Sequence, residues 1–268
     1  MTEQEQLTPV RNSQVLTAAG GVPEGVGRSK TGSSTWKRVR KWVLWVLLVA
    51  CFGPVIQVAL LRVIDPPFTA MVCFQSLSNL FSGEDLFWSH DNVDRDEMSR
   101  HVLAALVAAE DQRFWQHQGF DFKAIEQAQR DHERRLTRPL RGASTISQQV
   151  AKNLFLPPWR SFIRKGVEAY YTVLIEFMWP KERILEMYAN IAEFAPGVYG
   201  VEAGARHHFN KSAKQLSPRQ SALMAAVLPN PKRWTASKPS PYIRRRAARI
   251  QRQMYGIPTS VEEEGDPD

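Results

Sequence analysis

Cysteine is scarce in this 268-residue sequence, and the two present, Cys51 and Cys73, do not suggest a disulfide framework. One lies inside an apolar run and the other just beyond it, a placement whose geometry disfavours a bond between them. Whatever follows must fold without staples. Charge is missing from Trp42 to Leu61, and at ~1.5 Å of rise per residue that stretch covers about the 30 Å of a bilayer core. Gly53 and Pro54 fall inside it, where a transmembrane helix tolerates them better than a soluble one. Aromatic residues are absent from residues 1–35, which are rich in Thr, Ser, Gly, Gln and Pro. With the basic residues up to Lys41, they are expected to form a disordered cytoplasmic head, 1–41. Internal repeats and convincing strand alternation are also missing.

Three readings compete for the apolar run: a spanning helix over 42–62, a cleaved signal peptide, or a buried core helix. Its length and its forty-one-residue head favour the span. Leu48-Val49-Ala50-Cys51 resembles a lipoprotein cleavage box, but the run continues for ten residues beyond Cys51. Arg28, Lys30, Lys37, Arg38, Arg40 and Lys41 precede the run, whereas Glu84, Asp85, Asp91, Asp94, Asp96 and Glu97 follow it. The basic flank should stay in the cytoplasm and everything after the helix should face outward. That topology argues against nucleic acid as the partner of a chain with net charge +8. Anionic lipid headgroups or a phosphate-bearing substrate suit it better.

Residues 63–98 mix Pro, aromatics and acids without a clean period, and read as a juxtamembrane connector with short helices at most. From there the spacing predicts helices over His101–Asp111, Phe122–Leu136, Thr145–Phe155, Ser161–Met178, Lys181–Ala192, Val201–Phe209, Ser217–Val227 and Pro241–Tyr255. Turns fall at Leu156-Pro157-Pro158, Ala195-Pro196-Gly197 and Pro229-Asn230-Pro231. The expectation is a mainly α domain over 99–255 and a disordered acidic tail over 256–268.

Three constellations could carry chemistry. Glu110-Asp111 ends an apolar helix, and Phe114, His117, Gly119 and Asp121 follow. Glu110 is there a candidate general base; the alternative is a solvated acid pair closing a core helix. His117 lacks a second histidine at ligand spacing, which weakens any metal role. Next, Gly142 and Ser144 form a turn before a helix whose Thr145 and Gln148 have capping-box spacing. Thr145, Gln149 and Lys152, with Asn153 alongside, would line one face near a positive helix end: an anion site or an ordinary polar face. Lastly, Arg164 and Lys165 can reach Glu168 at i+4 and i+3, either as surface pairs worth ~0.3–0.5 kcal/mol or as cations holding a carboxylate at a cleft.

Taken in this order and spacing, the stretches resemble the glycosyltransferase family that polymerises lipid II into peptidoglycan strands. Glu110-Asp111-x-x-Phe114-x-x-His117-x-Gly119-x-Asp121 is similar to its first motif, Gly142 to Gln149 with Lys152-Asn153 to its second, and Arg164-Lys165-x-x-Glu168 to its third. Further matches run from Tyr199 to Arg206, from Phe209 to Lys211, and from Ala225 to Pro231. The likeness covers roughly residues 40 to 255. Ala143 replaces a frequent Gly, as in the monofunctional branch. The transpeptidase strings Ser-x-x-Lys and Lys-Thr-Gly occur only as Ser34-Thr35-Trp36-Lys37 and Lys30-Thr31-Gly32, chance matches in the head.

The resemblance implies a lysozyme-like helical fold, with a small membrane-dipping subdomain between the first two motifs and the anchor. It implies lipid II and the growing lipid-linked glycan as substrates in the cytoplasmic (inner) membrane, with the catalytic domain in the periplasm. It also makes other cell-wall synthesis or division proteins candidate partners. By the same likeness, Glu110 and Glu168 are catalytic, and Asp111, Phe114, His117, Ser144, Thr145, Gln149, Lys152, Asn153, Arg164 and Lys165 bind substrate. Glu168 either orients the cations or holds a divalent ion, Mg2+ or Mn2+, at the diphosphate. No organic cofactor is implied. A lytic transglycosylase or lysozyme-like hydrolase, and a catalytically silent scaffold, are the rival expectations.

Overall fold

The computed structural model describes residues 32–82, 88–134, 144–159 and 161–261. The head before residue 32, the tail after 261, and Gly142 and Ala143 of the expected turn lie outside the described residues.

The expected mainly α architecture is present, and the apolar run lies within a helix, α1 (Gly32–Leu61). Thr35–Leu61 is long and apolar enough to cross a membrane. The chain divides into two units at Leu47 and Leu48, so the last part of α1 belongs with the rest of the chain. Val58 is fully buried in the main core. Nearby, Gln57 accepts a hydrogen bond from the Tyr171 hydroxyl (2.6 Å), and the Val58 carbonyl accepts one from the Trp179 indole (2.8 Å). The end of the helix is thus also a wall of the folded domain.

The connector is more ordered than its composition suggests. It holds a thirteen-residue helix, α2 (Ala70–Ser82), and a two-residue strand, β1 (Ser89–His90). Buried Asn190 exchanges two hydrogen bonds with the Val93 backbone, and Asn92 donates to the Pro66 carbonyl. These side chains give a segment without apolar periodicity a fixed path.

Among the described residues eight further helices follow: α3 (Arg100–Glu110), α4 (Phe122–Arg134), α5 (Ile146–Phe155), α6 (Phe162–Met178), α7 (Lys181–Ile191), α8 (Val201–Phe209), α9 (Pro218–Val227) and α10 (Pro241–Gln253). Polar caps set their starts: the side chains of Ser99, Thr145, Ser161, Ser217 and Ser240 each accept a first-turn backbone N–H. Val102 to Ala108 in α3 and Ser221 to Val227 in α9 are buried without interruption. Helices apolar on every side belong at the centre of a domain, and here α3 packs on α9 and α9 on α10, while α5 packs on α6 and α7.

Strands were not expected, yet β2 (Glu193–Ala195) and β3 (Val198–Tyr199) complete a sheet with β1 in the order β1-β3-β2. β1 runs parallel to β3, with Ser89 opposite Val198, and β2 runs antiparallel to it. Elements of two or three residues are too short to show a two-residue period. Gly200 follows β3 at φ +89°, and a Cβ there would meet the Asn190 carbonyl oxygen at 2.9 Å and that of Asp91 at 3.1 Å. Both obstacles are backbone. Gly200→Ala should therefore cost about 1–3 kcal/mol, read as a lower urea midpoint.

Candidate active site

α3 ends where two adjacent acids take opposite tasks. Asp111 leaves the helix at φ −159° and turns inward, where its carboxylate meets His117 Nε2 (3.0 Å) and accepts the Ile146 N–H (3.0 Å). Glu110 remains half-buried, and its Oε2 accepts a hydrogen bond from the Gln149 amide (2.9 Å). The inward acid fixes the helix junction and the outward one faces a cleft.

The start of α5 is held from three directions. Asp111 takes its first N–H; the Thr145 hydroxyl donates to the Gly119 carbonyl (2.7 Å); and the Ser147 hydroxyl donates to Glu176. Gly119 itself sits at φ +84°, where a Cβ would meet Thr172 Cγ2 at 2.8 Å. Glu176 is paired with Lys181 (2.8 Å), whose ammonium lies 4.5 Å from the Phe114 ring centroid. This buried network fixes α5, which carries Gln149 and Lys152, against the end of α3.

Two lobes of open space meet at Glu110. One, about 340 Å³, is bounded by Asp111, Arg113, Asp121, Gln127, Ser144 and Thr145. The other, about 590 Å³, is bounded by Ser144, Gln149 and Lys152 on one side and by Pro229, Arg246, Arg249, Ile250 and Gln253 on the other. Ala108, Ala109, Glu110, Gln112 and Ser144 belong to both. Such a cleft admits two groups on either side of one carboxylate.

The second lobe is cationic. Burial lowers the pKa of Lys152 below the ordinary lysine value, opposed first by the Glu168 carboxylate and assisted by Arg164. Glu168 is 3% exposed, paired with Lys165 and with Arg164 (3.4 Å). An i, i+4 pair whose acid is buried beside a third cation is no solvated surface pair, so the cleft-side alternative describes it. The surroundings of Glu168 do not fit a resident divalent ion, because this single carboxylate already serves two cations. Among the described residues, three carboxylates come together only at Asp65, Asp94 and Glu186, where Arg183 bridges Asp65 and Glu186.

A pH effect follows from Lys152. Its charge is lost as pH rises through the lowered pKa, so the alkaline limb of activity should fall below the pH expected of an exposed lysine. Lys152→Arg should move that limb upward in a pH–rate profile. For stability the sign is opposite. The unfolded chain binds more protons between the lowered and ordinary values, so stability rises with pH across that window.

The structure brings Glu110, Asp111, Ser144, Thr145, Gln149 and Lys152 to the cleft walls and sets Arg164, Lys165 and Glu168 around Lys152's charge. It does not bring Phe114 or His117 there: Phe114 is fully buried, and His117 is buried against Asp111. Asn153 is half-buried and bounds neither lobe. Thr145 bounds the first lobe, but its hydroxyl points its proton at Gly119 and accepts from the Gln148 N–H as the helix cap. Arg246 and Arg249 were missed. Their signal was α10 itself, which has five arginines and no acid. No ion pair neutralises those arginines among the described residues, and Arg246 Nε is buried without a partner.

A model of the transglycosylase family matches residues 86–255. The chain belongs to that family. A biosynthetic peptidoglycan transglycosylase of Xanthomonas axonopodis pv. citri is 50% identical over 221 residues, covering 81% of this chain and 89% of the relative. One from Pseudomonas fluorescens is 50% identical over 219 residues, covering 82% and 89%. A more distant one, from Bdellovibrio bacteriovorus, is 45% identical over 233 residues, covering 85% and 91%. The match spans both acids at the end of α3, the start of α5, the Glu168 cluster and α10, so this transglycosylase carries the cleft within its family domain.

Proposed function

We propose that this peptidoglycan transglycosylase polymerises lipid II into β-1,4-linked glycan strands by an inverting displacement, with Glu110 as general base. The observation that carries the reading is the position of Glu110 at the junction of two lobes, one of them walled by cations. In this reading the 4-hydroxyl of the incoming lipid II attacks the anomeric carbon of the growing chain. The bond from that carbon to the diphosphate oxygen breaks, the hydroxyl proton passes to Glu110, and undecaprenyl diphosphate leaves as an anion. Gln149, bonded to Oε2, holds the carboxylate in place.

The leaving group sets the other demand. Lys152 faces the cleft, with Arg164 and Lys165 beyond it and Arg246 and Arg249 across it, so developing charge meets cations already in position. Ser144 supplies a hydroxyl at the edge of both lobes. We assign Glu168 to orienting Arg164 and Lys165, the role its two ion pairs support. Asp111, Phe114, His117 and Thr145 act as the frame of the site rather than as substrate ligands. Basic residues before the apolar run support a single-pass topology with the N-terminus in the cytoplasm and the catalytic domain in the periplasm.

Purified protein incubated with labelled lipid II should give polymer that lysozyme degrades. Digestion of preformed wall without polymer formation would instead identify a hydrolase and overturn the proposal.

A further inference from the structure

The arginines of α10 continue beyond the cleft they border. The helix holds five of them and no acid, and among the described residues none of the five joins an ion pair. Buried Ile243, Ala247 and Ile250 fix which way it faces. At 3.6 residues per turn, Arg246 then falls at the border of the buried side, and Arg249, Arg245 and Arg252 follow around the exposed one. Only Arg246 and Arg249 bound the lobe walled by Lys152. Arg245 and Arg252 carry the same charge out of that lobe, along about 10 Å of helix at ~1.5 Å per residue. Arg244 points elsewhere, donating to the Pro239 carbonyl (2.9 Å).

Such a row is not neutral in energy. Arg245 and Arg249 stand at i, i+4, where like charges oppose the helix, and no acid on α10 offsets them. An anion bound along the row would. The diphosphate does not account for it, because Lys152, Arg164, Lys165, Arg246 and Arg249 already surround the space assigned to that group. The proposed substrate carries a second anionic part. In lipid II the peptide stem hangs from the same sugar ring whose anomeric carbon bears the diphosphate, so it starts beside the phosphates and must leave the cleft. Its carboxylates are spread along an extended peptide, of which three residues at ~3.3–3.6 Å each cover the distance from Arg245 to Arg252. A guanidinium meets a carboxylate with two parallel hydrogen bonds, a fit that lysine lacks.

We infer that Arg245 and Arg252, with Arg249 at the edge of the lobe, bind the carboxylates of the substrate's peptide stem, so that the enzyme selects acidic stems over neutral ones. This rests on reading lipid II as the substrate and adds which part of it is recognised outside the reacting sugars. Contacts so far from the bond that breaks act equally on bound substrate and transition state, and therefore on KM rather than kcat.

The test uses the full chain in phosphatidylethanolamine–phosphatidylglycerol vesicles with two substrates: lipid II with its stem carboxylates free, and the same lipid with every stem carboxyl amidated. The unsubstituted chain should show the lower KM for the acidic stem and the same kcat for both. Arg245→Gln with Arg252→Gln should raise KM for the acidic stem about three- to tenfold, the effect of two exposed ion pairs, and leave the amidated substrate unaffected. Arg245→Glu with Arg252→Glu should reverse the preference. A purely structural role would move both substrates alike, so equal changes overturn the inference, as does an unsubstituted chain whose KM does not distinguish them. Replacing phosphatidylglycerol by phosphatidylcholine separates the other source of anions. An effect of the substitutions seen only with phosphatidylglycerol would mean that the row meets lipid headgroups, which also overturns the inference. No polymer from either substrate would bring down the lipid II reading itself, whereas polymer with unshifted KM values overturns the stem surface alone.

Discussion

Glu110→Gln should leave a folded, membrane-inserted protein that makes no detectable glycan polymer from lipid II. Losing a positioned general base commonly costs ~10²- to 10⁴-fold in rate. The replacement is nearly isosteric, and an amide oxygen can still accept the Gln149 N–H, so that hydrogen bond survives. Asp111→Asn makes the informative contrast. That carboxylate takes the Ile146 N–H and faces His117, both buried, so its loss should lower the urea midpoint as well as the rate. A rate defect without a stability defect at 110, and both defects at 111, would separate the base from the frame. Near-normal polymerisation by Glu110→Gln would sink the base assignment.

The difference between these neighbouring acids was not legible in the sequence, where Glu110-Asp111 reads as one acidic pair. What separates them is a single backbone departure, Asp111 leaving the helix at ψ 77°, and a run of residues carries no signal for a dihedral angle. The helices were legible because apolar spacing and capping residues agree: Thr145 with Gln148, and Ser217 with Gln220, form the boxes their spacing suggests. Thr145 also shows the limit of that reading. Helical geometry places it on the face of Gln149 and Lys152, but a cap residue lies outside the helix, and its hydroxyl is taken by Gly119 from twenty-six positions earlier. Contacts between distant segments were hidden for the same reason. α10 lies some hundred residues beyond Lys152, yet its arginines face that lysine across one lobe. A basic helix taken alone reads as a solvated surface.

Lys152→Ala should reduce turnover by about 10²-fold, the loss expected when one stabiliser of developing charge worth ~3 kcal/mol is removed. Stability should not fall with it. The native ammonium is desolvated, which lowers its pKa, so taking it away relieves a burial cost rather than exposing one. Its acidic neighbours keep other partners: Glu168 retains Arg164 and Lys165, and Glu110 retains Gln149. A structural role would predict the opposite, an uncompensated carboxylate in a buried setting and a protein that unfolds early. Steady-state polymerisation and urea denaturation on the same preparation distinguish the two. Loss of turnover at an unchanged midpoint supports the diphosphate role, whereas parallel loss of both would make Lys152 part of the frame that already includes Lys181 and Glu176. Lys152→Arg sharpens the comparison, since it restores the charge without the lysine's titration and should recover activity mainly on the alkaline side.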